Sequence, residues 1–288
     1  MDLLSLVLTL RPLQLPANRP ETPRWWGRAA HGLVLSLVNA CDATLAAQLH
    51  DESNARPFTA STLMGHFERG ALLAPESYLL RLTAMRADLA QLLSQEAASG
   101  ALRCGAAIEL DYIPFQIVAF QPVPQEQGSG SEGQMSDWAA STTYQELSAP
   151  YLLSKREPPR RLSLLLASPT AFKSGGKHVP FPSPGLVFGS LLERWNTFAP
   201  IAFPDEARRF AEECLALSQF RLETRPAPVK GGGMRVGAIG KVAFTSLNYD
   251  RYWLSVLTTL ADFSLFAGVG GGTSMGLGQC RRIEDFKV

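Results

Sequence analysis

Four histidines, His31, His50, His66 and His178, carry the side chains that ordinarily titrate near neutrality, so proton transfer at pH 7 would draw on them first. His50 closes the apolar run ATLAAQLH and stands six residues before Arg56. An imidazole can take or give a proton, and a guanidinium presents a fixed fork of donors suited to a phosphate. The plainer role for His50 is a helix C-terminal histidine facing the last carbonyls. His31 reads as a half-buried helix residue, His66 as surface, and His178, in the turn SGGKH, as an exposed loop residue. No acidic cluster resembles a two-metal nuclease site. Cys41, Cys104, Cys214 and Cys280 are scattered, with no CxxC pair. Neither a metal, another cofactor nor a disulfide framework is therefore expected, and each cysteine reads as a small buried apolar residue.

A second feature is glycine. Gly268, Gly270, Gly271, Gly272, Gly276 and Gly278 fall within eleven residues, interleaved with Thr273 and Ser274. Glycine admits backbone shapes closed to other residues and lets backbone N–H groups approach an anion. The lysine of a Walker loop is missing, and the segment follows a helix and precedes a strand, the reverse of a dinucleotide site. A tight helix-to-strand connection explains the glycines equally well.

The elements that must position these residues follow from periodicity. Leu3–Leu10 reads as a strand stopped by Pro12, Trp25–Ala40 and Ala43–His50 as helices, and 51–57 as a loop. Phe58–Gly65 and Ser77–Met85 read as strands, Arg86–Glu96 as a helix, and Gly105–Gln121 as one long strand bent at Pro114. The stretch 125–136, rich in glycine and serine, looks like a flexible excursion. Beyond it come a strand at Leu162–Ala167, helices at Phe188–Phe198 and Pro204–Leu217, and strands at Phe220–Pro226 and Val236–Leu247. A helix at Tyr249–Phe266 and a strand at Leu277–Phe286 complete the chain. Each half has the order β-α-β-β-α-β. The expected fold is α+β, two tandem ferredoxin-like domains over 1–150 and 151–288.

Composition agrees with a globular chain: 46% of the 288 residues are hydrophobic and 18% charged. The net charge of +1 carries no global basic signal, so a nucleic-acid surface would have to be local. Local basic groups are Lys155, Arg156, Arg160 and Arg161, then Lys173 and Lys177, then Lys230 and Arg235, then Arg281 and Arg282. Solvated surface charge is the ordinary role of any one of them. The first apolar run has no basic leader and is too short to span a bilayer, so a soluble, cytoplasmic protein is expected.

Several separated segments together resemble the CRISPR-associated endoribonucleases that process precursor CRISPR RNA, members of the repeat-associated RNA-binding superfamily. They are Leu49-His50 with Arg56-Pro-Phe58-Thr-Ala-Ser61, then Ser168-Pro-Thr-Ala-Phe172 with Pro180-Phe-Pro182, then Arg194-Trp195-Asn196, then Gly237-Ala-Ile-Gly240-Lys-Val, and Gly268 to Gly278. The resemblance implies metal-independent cleavage within CRISPR repeats, leaving a 2′,3′-cyclic phosphate and a 5′-hydroxyl. It places the proton-transfer histidine at His50, with His31 as rival. Arg56 takes the slot that holds a lysine in some members, and Leu35 the position of their helical tyrosine. Repeat RNA would lie on the glycine-rich loop and the basic groups above. Base stacking by Trp25, Trp26 or Phe172 competes with core packing. Other subunits of a CRISPR effector complex, and a homodimer, stay open as further partners. The alternative is an inactive RNA-binding subunit of such a complex.

Overall fold

The computed structural model describes residues 1–15, 25–51, 55–121, 137–155, 157–228, 233–284 and 286, without the side chains of His50 and Asp51. Arg156, Lys230 and the stretch 125–136 lie outside the described residues. The chain divides into two compact units, Met1–Thr142 with Ser274–Gly276, and Thr143–Thr273 with Leu277–Val288.

In the first unit, β1 (Leu3–Pro12) is followed by α1 (Gly27–Cys41) and α2 (Ala43–Asp51). Then come β2 (Phe58–Ala60), β3 (Tyr78–Ala84), α3 (Ala87–Ala98), β4 (Ala107–Leu110), β5 (Ile113–Gln121) and β6 (Ala140–Thr142). The sheet order is β2-β3-β1-β5-β4, with β6 also on β1 and every pair antiparallel. Alternation explains the layering, because every second residue of a strand faces the same side. Leu4, Leu6, Leu8 and Leu10 of β1 meet Ala30, Val34 and Val38 of α1 and Leu89 and Leu93 of α3 in one core. Fully burying a leucine contributes about 1.5–3 kcal/mol, so this face alone favours one register strongly. The other face is polar yet buried: Ser5, Thr59, Arg81 and Thr83 are each 1% exposed or less. There the hydroxyls of Thr59 and Thr83 share a 2.8 Å hydrogen bond, and Arg81 donates to the Ser5 hydroxyl at 3.1 Å.

The expected strand over Gly105–Gln121 is instead a hairpin of β4 and β5. Its turn is Asp111-Tyr112, both left-handed at φ 50° and 64°, and Leu110 pairs with Ile113. Two left-handed residues match the twist of the flanking strands, which is why the chain reverses before Pro114 rather than bending at it. The strand expected at Phe58–Gly65 is shorter, Phe58–Ala60.

The second unit opens with an unexpected helix, α4 (Tyr144–Leu152), whose start is set by a capping box of Thr143 and Glu146. Next come β7 (Arg161–Thr170), the hairpin β8 (Phe172–Ser174) and β9 (Lys177–Val179), α5 (Pro184–Phe198) and α6 (Glu206–Cys214). The unit ends with β10 (Leu215–Pro228), β11 (Met234–Ser246), α7 (Arg251–Ala267) and β12 (Cys280–Ile283). Its sheet order is β10-β11-β7-β12, again antiparallel. In both units the order second-third-first-fourth, with β-α-β-β-α-β connection, is ferredoxin-like. The helix expected to reach Leu217 stops at Cys214, because Leu215 already pairs with Ser246 in a ladder running to Pro228. The final strand is likewise confined to the residues that pair with Ser163–Leu166. Of the cysteines, only Cys280 is buried, whereas Cys41 and Cys104 are exposed and Cys214 is intermediate.

Tyr112 is 76% exposed and holds a conformation that disfavours a side chain. Tyr112→Gly should therefore stabilise the protein by about 1 kcal/mol. The check is a higher urea midpoint with an unchanged slope.

Candidate functional site

Ser274–Gly276 belong to the first unit and the rest of the glycine-rich segment to the second, and each part has its own contacts within its unit. In the first unit, α1 and the end of β2 meet Ser274–Gly276. His31 Nδ1 donates to the Ser274 carbonyl at 3.2 Å, and Trp25 Nε1 donates to the Met275 carbonyl at 2.8 Å. Ser61 forms a parallel bridge with Gly276, and Trp26 N donates to the Thr62 hydroxyl at 3.0 Å. Glycine is required at position 27, where a Cβ would lie 1.9 Å from the Met275 oxygen. A carbonyl only accepts, so Nδ1 carries the proton of neutral His31 and Nε2 holds the lone pair. The ring lies 5.3 Å from that of Phe58. Burial lowers the His31 pKa; the Ser274 hydrogen bond opposes this and the charge of Arg56 adds to it. Arg56 itself has its Nη1 buried without a hydrogen-bond partner among the described residues. His50 stands in the last turn of α2, with Leu49 before it fully buried, and its side chain lies outside the described residues.

In the second unit, α7 runs directly into Gly268, whose N–H returns to the Ser264 carbonyl. The segment is not loose. Apart from Gly272, its residues are buried or part-buried. Val269 N donates to Gly278 O, Gly271 N to Ala171 O and Gly278 N to Pro169 O, at 2.8–3.1 Å. Gly270 N donates to the Ser190 hydroxyl at 3.0 Å. The guanidinium of Arg194, one turn along α5 from Ser190, donates to the carbonyls of Gly268 and Gly270. Gly278 (φ 62°) permits the return: a Cβ there would sit 2.1 Å from the Val269 oxygen. The amides at both ends of the segment are thus engaged within the protein rather than turned to an external anion.

Around this segment the basic candidates differ in how committed they are. Arg235 donates to the Gly271 carbonyl at 3.5 Å and lies 3.3 Å from His178 Nε2. His178 is exposed on β9, and burial, Arg235 and Lys173 lower its pKa. Lys173 and Lys177 are exposed on the same hairpin, and Lys155 is exposed beyond α4. Arg160 lies over the Tyr249 ring at 4.7 Å, and Arg161 donates to Gln219. Arg281 sits half-buried on β12. Arg282 is held by Asp262 at 2.5 Å and donates to the Tyr151 hydroxyl at 2.9 Å, an internal ion pair. Trp26 and Phe172 are core residues, each 2% exposed. Exposed His66 contributes its carbonyl to Tyr78. Sequence reasoning assigned no role to Ser190 and Arg194; their i, i+4 spacing on one helix face was the available signal. Among the described residues no His, Cys, Asp or Glu group is placed to hold a metal, and no helix is long and apolar enough to cross a membrane.

Comparison with known proteins matches two family models, CRISPR Cas6 N-terminal domain over residues 3–81 and CRISPR-associated endoribonuclease Cas6 over residues 164–280. A CRISPR-associated endoribonuclease Cas6 of Mycobacterium tuberculosis is 35% identical over 129 residues, 44% of this chain and 40% of that protein. One of Streptococcus thermophilus is 29% identical over 146 residues, 49% of this chain and 59% of that protein. The matched stretch therefore spans about half the length of these relatives. A solved Cas6 product complex superposes with a TM-score of 0.75 at 26% identity, over 99% of this chain and all of the other.

The His31 contact has a definite pH signature. Its folded pKa lies below the ordinary value of 6.5, so below that value the unfolded chain binds more protons than the folded one. Stability should be flat above about pH 6.5 and fall as pH drops through the lowered folded value. Melting temperatures from pH 7.5 to 5 should show this slope reduced in His31→Gln.

Proposed function

Because the chain belongs to the Cas6 family of CRISPR-associated proteins, we propose that it is a metal-independent endoribonuclease that cuts precursor CRISPR RNA within its repeats. The attacking group is the RNA's own 2′-hydroxyl. Its proton leaves to a base, O2′ bonds to phosphorus, the P–O5′ bond breaks, and the 5′ oxygen takes up a proton. The products are a 2′,3′-cyclic phosphate and a 5′-hydroxyl. The protein must align attacker and leaving group, move two protons and offset charge on the phosphate.

His50 is the proton-transfer residue in this reading, and Arg56 the cation beside the phosphate. The assignment of His50 rests on the family resemblance, and the observation that carries the endoribonuclease reading is the Arg56 guanidinium. It lies close enough to α1 to depress the His31 pKa, yet keeps a buried N–H without a partner among the described residues. An unsatisfied buried donor of this kind is stabilised by an anion, and a phosphate oxygen suits it. A guanidinium cannot act as base at neutral pH, so the proton falls to a histidine. Exposed Lys173, Lys177 and Lys155, with part-buried Arg235, provide phosphate contacts that would position the RNA without reading its sequence.

One observation favours a second assignment within the same chemistry. The Ser274 carbonyl fixes the tautomer of His31 so that Nε2 is its basic nitrogen, which suits a proton acceptor. The two histidines are separable by experiment. In chelator, with cognate repeat RNA, the wild type should yield cyclic-phosphate ends. Under the first assignment His50→Ala should lower the cleavage rate at least about 100-fold and His31→Gln far less. The reverse pattern moves the role to His31, and binding without cleavage by the wild type identifies an inactive RNA-binding subunit.

A further inference from the structure

The glycine-rich segment owes its shape to two side chains on another helix. Ser190 and Arg194 lie one turn apart on α5 and face the segment together. Arg194 directs one nitrogen to the Gly268 carbonyl at 3.4 Å and the other to the Gly270 carbonyl, and also donates to the Ser190 carbonyl and hydroxyl at 3.4 Å. A planar trans peptide points its C=O and N–H in opposite directions. The peptides joining Gly268 to Val269 and Gly270 to Gly271 are therefore gripped at both ends. Their carbonyls face Arg194, while Val269 N and Gly271 N reach Gly278 O and Ala171 O. Gly270 N is taken by Ser190.

No carboxylate pairs with this guanidinium among the described residues. Burial lowers its pKa to about 10, and the charge of Glu193 opposes that shift. Holding a part-buried cation on carbonyl and hydroxyl dipoles, with no opposite charge paired to it among the described residues, is a costly way to fill space, and a well-packed apolar side chain would do so at less cost. What the guanidinium does, and an apolar side chain could not, is bind two carbonyls of one loop simultaneously.

We infer that Arg194, seconded by Ser190, is a positioning residue that preorganises the glycine-rich segment for RNA without itself touching RNA. The inference rests on the proposed RNA-binding role of the segment. A segment already fixed in its bound shape loses less conformational freedom on binding, so the benefit falls mainly on the dissociation rate.

The test uses the full chain with Arg194→Met, which preserves bulk and removes every donor, alongside Arg194→Lys and Ser190→Ala. Hydrogen exchange of amides 268–271 should accelerate in Arg194→Met while exchange in the first unit stays at the wild-type rate. Affinity for repeat RNA should fall about tenfold or more, with partial recovery in Arg194→Lys. The slope of log affinity against log salt should not change, whereas loss of a direct phosphate contact would reduce it by about 0.7–0.9. Wild-type exchange and affinity in a folded Arg194→Met overturn the inference, as does a reduced salt slope. If Arg194→Met does not fold, Ser190→Ala decides: faster exchange at Gly270 and weaker RNA binding support the inference, and unchanged values refute it. If the wild type binds no repeat RNA, the functional reading fails, and the exchange measurement alone judges the positioning role.

Discussion

A buried stretch of backbone with few side chains must still satisfy its peptide groups, and it has none of its own to do so. Residues 268–278 meet this constraint by borrowing. Arg194 and Ser190 of α5, the carbonyls of Pro169 near the end of β7 and of Ala171 just after it, and Arg235 of β11 supply the partners. His31 and Trp25 take the carbonyls of Ser274 and Met275. Glycine makes the path sterically possible, and these donors and acceptors choose the path. A segment rich in glycine is thereby held in one defined shape.

The same logic, in side chains, governs the first unit's sheet. Its helix-covered face is apolar, and its other face buries Ser5, Thr59, Arg81 and Thr83 in mutual hydrogen bonds, with Arg81 stacked over Trp138 at 4.8 Å. Each neutral bond contributes about 1 kcal/mol, but a one-residue slip of β3 would drive Arg81 into the leucine core. Register is thus held by an attractive term on one face and a prohibitive one on the other. That register fixes β2, and with it the approach of Arg56, Phe58 and Ser61 to α1. Chemistry placed at a strand end inherits the precision of the strand.

Much of this architecture was legible from periodicity. The apolar run Leu3–Leu10 and the helical pattern of Trp25–Ala40 located the first strand and helix, and the element order gave both ferredoxin-like units. The failures share a cause. The turn at Asp111-Tyr112 uses left-handed residues that are not glycine, so no punctuation marks it. Residues Leu215–Leu217 are helix formers by local preference, yet became strand because β11 was there to pair with them. The start of α4 did carry a local signal, the capping box of Thr143 and Glu146, which outweighed the polar surroundings.

The candidate site divides in the same way. Residue types and order along the chain sufficed to nominate His50, Arg56, His31 and the glycine cluster, and the likeness to a known family ranked them. Those are local properties, carried by side-chain chemistry and by spacing of a few residues. The donation of Arg194 to Gly270 spans 76 positions and that of His31 to Ser274 spans 243. No periodicity encodes such pairings, because they arise only when separate elements pack and their unsatisfied groups must find one another. Hence the sequence by itself determined the elements, their order and the chemical inventory. Only the tertiary structure decided which cations are tied up internally, as Arg282 is on Asp262, and which ones shape or flank the loop.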